Sequence, residues 1–305
     1  MGRRRRGTVI NGWLIIDKPL GLTSTQVIGR VRRLTDARKV GHGGTLDPLA
    51  TGVLPIALGE ATKALPYVVD STKAYDFVVR WGAATATDDS EGEIIETSSL
   101  RPTEADIRAA LTGFEGEIEQ VPPAYSAIKV DGARAYDLAR QGEVVELKAR
   151  TVTVHALDML NEETVAGHTT GPDETGFRMA CGKGTYVRSL ARDLARALGT
   201  CGHVVALRRT RVGPFDEITA ISLDKLEELV HSAPPEKAVL PVETALDDIP
   251  ALAVTGGEAQ RLRQGQAIQV PNRREGVVCI MADDVLIALG NLDHGRLTPL
   301  RVFNL

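Results

Sequence analysis

The stretch Gly41-His42-Gly43-Gly44-Thr45-Leu46-Asp47-Pro48-Leu49-Ala50-Thr51-Gly52 limits what this chain can fold into more than any other. Four glycines, one carboxylate and one imidazole share it. Glycine admits positive φ and close backbone approach. Pro48 fixes its own φ and pushes Asp47 out of the helical region. The stretch must therefore be a turn-rich connection, with Asp47 as its one strong acid. An acid before proline often serves as an Asx-type turn residue. The same carboxylate on a rigid turn also suits a nucleophile or an acid–base group. His42 has two readings as well, a structural ring or one that stacks on a base or contacts phosphate.

Several chemistries are poor fits. There is no G-x-x-x-x-G-K-[ST] and no G-x-G-x-x-G, so nucleotide-cradling loops are disfavoured. No G-x-S-x-G supplies an activated serine. Cys181, Cys201 and Cys279 are far apart and form no C-x-x-C, which points away from a zinc site or a disulfide framework and fits a reducing cytoplasm. No apolar run approaches the roughly 20 residues that span a bilayer. Arg3 to Arg6 reads as a basic disordered arm rather than a signal peptide, because Asp17 and Lys18 soon interrupt the apolar segment.

The net charge of −4 hides strong segregation. Residues 1–66 carry eleven Lys/Arg against four Asp/Glu, and residues 177–215 carry eight against one. Residues 84–122 carry two against ten. Local potential steers a polyanion, so this pattern is compatible with a nucleic-acid partner.

Along the chain, Trp13 to Ile16 reads as a buried strand. Ser24 or Thr25 caps a helix striped by Val27, Val31 and Leu34. Val53 to Leu58 and Tyr75 to Trp81 read as strands, with Thr85 to Gly92 an acidic turn. Thr103 opens a helix that Gly113 closes. Thr151 to Leu160 and Phe177 to Cys181 are strands, and Asn161 to Gly176 between them is a hairpin tip. The helix after Thr185 has its stripe at Val187, Leu190, Ala191, Leu194 and Leu198, with Gly199 as C-cap. A further helix covers Leu223 to Val230. Composition shifts at residues 232–250. Beyond them, Thr255 caps a short helix, and strands at 267–270, 277–281, 285–290 and 300–303 make a small β-rich unit.

Seven stretches together carry a resemblance. The Gly41–Gly52 loop closely resembles the signature loop of the TruB family of tRNA pseudouridine synthases. Asp17-Lys18-Pro19-Leu20-Gly21 resembles that family's first motif, and Lys73-Ala74-Tyr75 the motif with its active-site tyrosine. Thr87-Asp88-Asp89-Ser90-Glu91-Gly92 resembles its acidic turn. Gln120 to Lys129, running on to Gly132 and Tyr136, resembles its RNA-clasping thumb. Cys181 to Leu190 matches its arginine motif, and Leu207 to Gly213 its last core motif. The matches keep their order from about residue 11 to 230.

The resemblance implies an α/β (α+β) fold with a mixed, mainly antiparallel central sheet and flanking helices, plus a small C-terminal β-rich, PUA-like module. The expected divisions are a basic arm at 1–10, a catalytic domain at 11–248 with the thumb at 120–150, and an RNA-binding module at 249–305. The implied reaction is isomerisation of the T-loop uridine at tRNA position 55. It breaks the N1–C1′ bond, turns the base and rejoins it through C5. No group is gained or lost, so neither a metal nor a redox cofactor is expected. Asp47 is implied as nucleophile, at C1′ or at C6 of the base. A carboxylate also stabilises positive charge at an anomeric carbon. Arg188 is implied to pair with Asp47, since a nearby guanidinium favours an ionised carboxylate. Tyr75 is implied to stack on the base and help remove the C5 proton. The target base must be extruded, at a few kcal/mol. His42 then braces the vacated space and Asp89 shapes the site. Lys18, Lys129, Arg208, Arg209 and Arg211 are phosphate-contact candidates, and Tyr186 and Leu207 are further RNA-contact candidates. The partner expected is the T-arm of tRNA, bound by a monomer. Two rivals stay open: a non-catalytic tRNA-binding protein on the same fold, and a hydrolase that uses the carboxylate with water as acceptor. The glycines of the loop are expected to let a flipped nucleotide approach the backbone.

Overall fold

A computed structural model describes residues 7–126, 128–130, 133–136, 147–271 and 274–305. The chain begins with β1 (Gly12–Lys18), α1 (Ser24–Thr35), β2 (Val40–His42), β3 (Ala50–Leu58) and β4 (Lys73–Trp81). The main sheet runs β1, β3, Gly202–Val212, β4, Glu174–Cys181, Arg150–Leu160 and Gly116–Gln120 across its width. Its described pairings are antiparallel except one. Gly202–Val212 lies parallel to β3, with Leu207, Arg208 and Arg209 opposite Ala50, Thr51 and Gly52. The fold is thus mixed α/β with a mainly antiparallel sheet, as the resemblance implied.

β3 receives β2 on the stretch past Gly52, with His42 opposite Ile56. The acid-bearing stretch is therefore the connection of a β2–β3 hairpin. β3 itself starts at Ala50 and not at Val53, so the strand reaches back to three residues past Asp47.

The two faces of the sheet bury different partners. Phe77, Val79, Trp81, Phe177 and Met179 share a core with α1 and with the helix Val187–Ala197. The Phe77 and Phe177 rings stack with centroids 5.3 Å apart. On the other face Trp13, Ile15, Val53 and Phe215 pack against Cys279, Leu286, Leu289 and Phe303. Those last residues belong to a five-stranded sheet ordered Ala251–Ala253, Gly276–Ala282, Val285–Asp293, Arg296–Val302 and Ile268–Gln269. Each large side chain so buried contributes about 1.5–3 kcal/mol. The shared core fixes the back of the main sheet.

Several local expectations change. α1 is capped by Thr23, whose hydroxyl accepts from Gln26 N–H while the Gln26 side chain returns to the Thr23 N–H. A capping box needs a side-chain acceptor three residues on; Gln26 supplies it for Thr23, whereas Ser24 and Thr25 are followed there by Val27 and Ile28. Ser24 is thereby free for another task. Residues 7–10 are not a free arm: Thr8 hydrogen-bonds Asp36 and Arg38 backbones, and Ile10 is buried. The helix Glu104–Leu111 stops before Gly113 and continues as a short 3-10 turn. The 161–176 segment forms a small hairpin, Thr164–Val165 with His168–Thr169. Its Val165 packs on Val78 and Ala206. Strand Ala251–Ala253 has no sequence signal beyond three apolar residues. Residues 127, 131–132 and 137–146 of the thumb at 120–150 lie outside the described residues, while Lys129–Val130 and Ala133–Arg134 pair as a hairpin.

Candidate active site

Asp47 sits at the mouth of the β2–β3 connection, with its side chain 36% exposed. Its neighbours on both sides are pinned by residues 18–24. The Ser24 hydroxyl accepts from Leu46 N–H at 2.8 Å and donates to the Leu46 carbonyl at 3.1 Å. The Gly21 N–H and the Lys18 ammonium both donate to the Pro48 carbonyl. The Asp47 backbone is thus clamped one residue before and one residue after.

Arg188 meets Asp47 from the opposite side. It is the second residue of the Val187–Ala197 helix and is buried. A cation there opposes the helix dipole. Two carboxylates offset it, Asp47 at 2.9 Å and Asp89 at 3.3 Å. The guanidinium also donates to the carbonyls of Thr87 (2.8 Å) and Tyr125 (2.9 Å). Its Nε is buried without a partner among the described residues. Asp89 is buried and accepts from Thr87 Oγ1 (2.5 Å) and Glu91 N–H (3.0 Å). The acidic turn is in turn bonded to the strand Gly202–Val212, with Val204 N–H on the Asp88 carbonyl and Ser90 N–H on the Val204 carbonyl.

Tyr75 is half-buried near the start of β4, opposite both Met179 and Arg209. Burial raises its phenol pKa, Arg209 opposes the rise, and Asp47 is near enough to add to it. Tyr186 caps the arginine helix without a side-chain bond. Gln120 holds its backbone from both ends, accepting from Tyr186 N–H at 2.8 Å and donating to its carbonyl at 3.1 Å. Burial raises the Tyr186 pKa, and Asp47 adds to it. His42 is half-buried, its pKa lowered by burial and then by Arg209.

Three of the phosphate-contact candidates, Lys18, Arg208 and Arg209, hold carbonyls or carboxylates of the protein itself. Lys18 is fully buried and donates to Pro19, Leu22 and Pro48 carbonyls at 2.9, 2.6 and 3.3 Å. Arg209 is buried and donates to the carbonyls of Val53 (2.8 Å) and Gly44 (3.1 Å). Arg208 points to the opposite face, bidentate to Asp17 at 3.0 Å on each arm and bonded to Glu217. Leu207 is a core residue beneath the loop. Arg211 is exposed and donates to the Gly213 carbonyl. The Lys129 side chain lies outside the described residues.

The glycines also differ from expectation. A Cβ at Gly43 would lie 2.5 Å from Val68, and one at Gly52, where φ is +95°, would lie 2.2 Å from the Arg209 carbonyl oxygen. The protein's own packing demands these glycines.

Sequence reasoning missed Ser24 and Gln120 as supports of Asp47 and Tyr186. Both bonds join residues 22 or 66 apart, which no local pattern announces. Glu91 was legible only as part of the acidic turn; desolvation, then Asp89 and Asp47, push its pKa up.

Lys18 carries a pH signature. Burial pulls its pKa from 10.5 to about 8, against the attraction of Asp47. Between those values the unfolded chain keeps a proton that the folded chain has lost. The contribution of this group to stability therefore rises with pH through that window, by about 1.4 kcal/mol per unit, and is lowest below it. The stability gap between wild type and Lys18→Gln, read by urea unfolding, should shift toward wild type from pH 8 to pH 10. A gap that does not move over that range would contradict the assignment.

The site thus joins a clamped, solvent-reaching carboxylate to a buried arginine on a mixed sheet, with a tyrosine strand beside it. Comparison with known proteins shows the class of enzyme. The model of the TruB family pseudouridylate synthase N-terminal domain matches residues 32–187. The tRNA pseudouridylate synthase B C-terminal domain matches 188–247, and the pseudouridine synthase II TruB C-terminal domain matches 250–303. The chain is 54% identical over 315 residues to tRNA pseudouridine synthase B of Rhodospirillum rubrum, covering 100% of both. It is 53% identical to the Caulobacter vibrioides protein of the same name over 316 residues, again covering 100% of both. Among solved structures, an H/ACA RNP bound to a substrate RNA containing 2′-deoxyuridine aligns with TM-score 0.74 and 26% identity, over 97% of this chain and 86% of that one. A Cbf5-Nop10-Gar1 complex gives 0.73 and 28% over the same shares. The chain belongs to the TruB family of pseudouridine synthases, and it is an isomerase. Among the described residues no helix is long and apolar enough to cross a membrane.

Proposed function

We propose that this enzyme converts uridine 55 in the T-loop of tRNA to pseudouridine, with Asp47 as nucleophile. The coarser statement, isomerisation of uridine in tRNA, follows from the family. The observation that carries the finer reading is the Asp47–Arg188 pair at 2.9 Å. It joins a carboxylate that reaches solvent to a guanidinium that does not. The ion pair orients one oxygen and leaves the other for the sugar or base. Clamping at Leu46 and Pro48 keeps the geometry while the bond to the base breaks, as preorganised sites require.

Tyr75 offers a ring for the extruded base and an oxygen for the C5 proton. His42, at the end of β2, fills the space the base leaves. Tyr186 lines the pocket beside Asp47. Lys129 and Arg211 remain as phosphate contacts, and the sheet within residues 249–305 acts as a PUA-like RNA-binding module. The enzyme works as a monomer in the cytoplasm.

An unmodified tRNA transcript incubated with the protein tests the reading. Adduct mapping with primer stops should place one pseudouridine in the T-loop. Free uracil would identify a hydrolase, an unchanged transcript a binding protein, and a pseudouridine elsewhere a different site preference.

A further inference from the structure

Arg209 is a buried cation with no role in the scheme above. It sits where the parallel pairing with β3 meets the antiparallel pairing with β4, opposite Gly52 on one side and Tyr75 on the other. Directly paired residues project to the same face. Two of its donors are taken by the carbonyls of Val53 and Gly44. Tyr75 lies directly across the strand pairing from it, close enough for the guanidinium charge to act on the phenol. No described carboxylate forms a salt bridge with it within 4.0 Å. A buried charge without a counter-charge is expensive. Arginine keeps its proton at every working pH, so it cannot relieve that cost by neutralising.

We propose that Arg209 is a positioning residue of the reaction: its guanidinium holds the Tyr75 oxygen toward the target base and stabilises the negative charge that oxygen carries when it accepts the C5 proton. The inference rests on the role proposed for Tyr75. Once C5 is joined to C1′, the C5–H bond breaks and its electron pair becomes the C5–C6 double bond. The C6–N1 π pair withdraws to N1, which takes up the phenol's own proton by way of solvent, and the phenolate this leaves accepts the C5 proton, so Tyr75 ends as it began. The balance is that of an isomerisation. Burial raises the phenol pKa, and Arg209 is the largest influence in the other direction. Asp47 from the loop and Cys181 from the neighbouring strand also face the phenol, while Lys73, Lys18 and His42 face the guanidinium. Asp47 disfavours a phenolate, so a fixed cation is needed beside it.

The test uses single-turnover rates on tRNA transcripts with uridine, [5-²H]uridine or 5-fluorouridine at the target. In Arg209→Met the uridine rate should fall at least about 100-fold, the usual worth of a positioned acid–base group. Binding of tRNA should stay within about threefold, and the C5 deuterium isotope effect should rise above that of wild type. With 5-fluorouridine no C5 proton exists, so rearrangement up to the C5–C1′ bond should keep its wild-type rate. Equal slowing on uridine and 5-fluorouridine, with an unchanged isotope effect, would make Arg209 a structural residue and overturn the proposal. Arg209→Lys keeps a charge with fewer donors. It should show the same signature at smaller amplitude and serves if the Met variant does not fold. A wild type that makes no pseudouridine would instead overturn the function proposed above.

Discussion

Asp47→Asn should lower pseudouridine formation by about 10⁴-fold or more, as removal of a nucleophile that acts within a unit does. The exchange is nearly isosteric. The amide oxygen can still accept from Arg188, and Arg188 keeps Asp89 at 3.3 Å. Leu46 and Pro48 keep their clamps, because those use backbone atoms. Melting temperature and tRNA affinity should therefore stay close to wild type while single-turnover product vanishes. Undiminished activity would remove Asp47 from the chemistry.

Arg188→Ala should have the second largest effect, and on two quantities at once. It strands Asp89, whose side chain is 3% exposed. Breaking a buried pair by removing one partner costs about 3–5 kcal/mol. Asp47 is 36% exposed and adds little, since water screens it. Urea unfolding should show a loss of about 3 kcal/mol. Turnover should fall about 10³-fold while tRNA binding stays within about tenfold, or 1.4 kcal/mol. The double variant Arg188→Ala/Asp89→Ala should regain stability, because the buried carboxylate is gone, but not activity. A loss confined to binding would make Arg188 a phosphate contact.

The charge pattern shows how far sequence reasoning reached. The basic stretch 177–215 reads as a surface for a polyanion. In the fold Arg178 pairs with Asp76, Lys183 with Asp70 and Arg192 with Asp88. Arg208 pairs with Asp17 and Arg188 with Asp47 and Asp89. Two of those partners, Asp88 and Asp89, come from the acidic stretch 84–122. Opposite segments that look like separate fields in the chain neutralise each other across the site. Linear charge says nothing of that, because pairing depends on strand register.

Local signals fared better where the cause was local. The capping boxes at Thr103 and Thr255 lie where the sequence placed them. The strands read at 277–281 and 285–290 are joined by a turn at Asp283 and Asp284, both with positive φ. The cap of α1 shifted to Thr23 because a box needs its third residue, and the displaced Ser24 became a support of Asp47.

The sequence by itself determined many of the elements, the turn-rich connection that carries Asp47 and, through ordered motifs, the family. Those depend on periodicity, turn chemistry and residue type, which neighbours in the chain supply. Only the tertiary structure decided which cations serve the site. Lys18 and Arg209 are of the same type as Arg211, yet burial turns the first two into supports of the loop and leaves Arg211 exposed. Whether a charge faces solvent or a backbone carbonyl is set by which strands lie side by side, and that is a property of the assembled sheet.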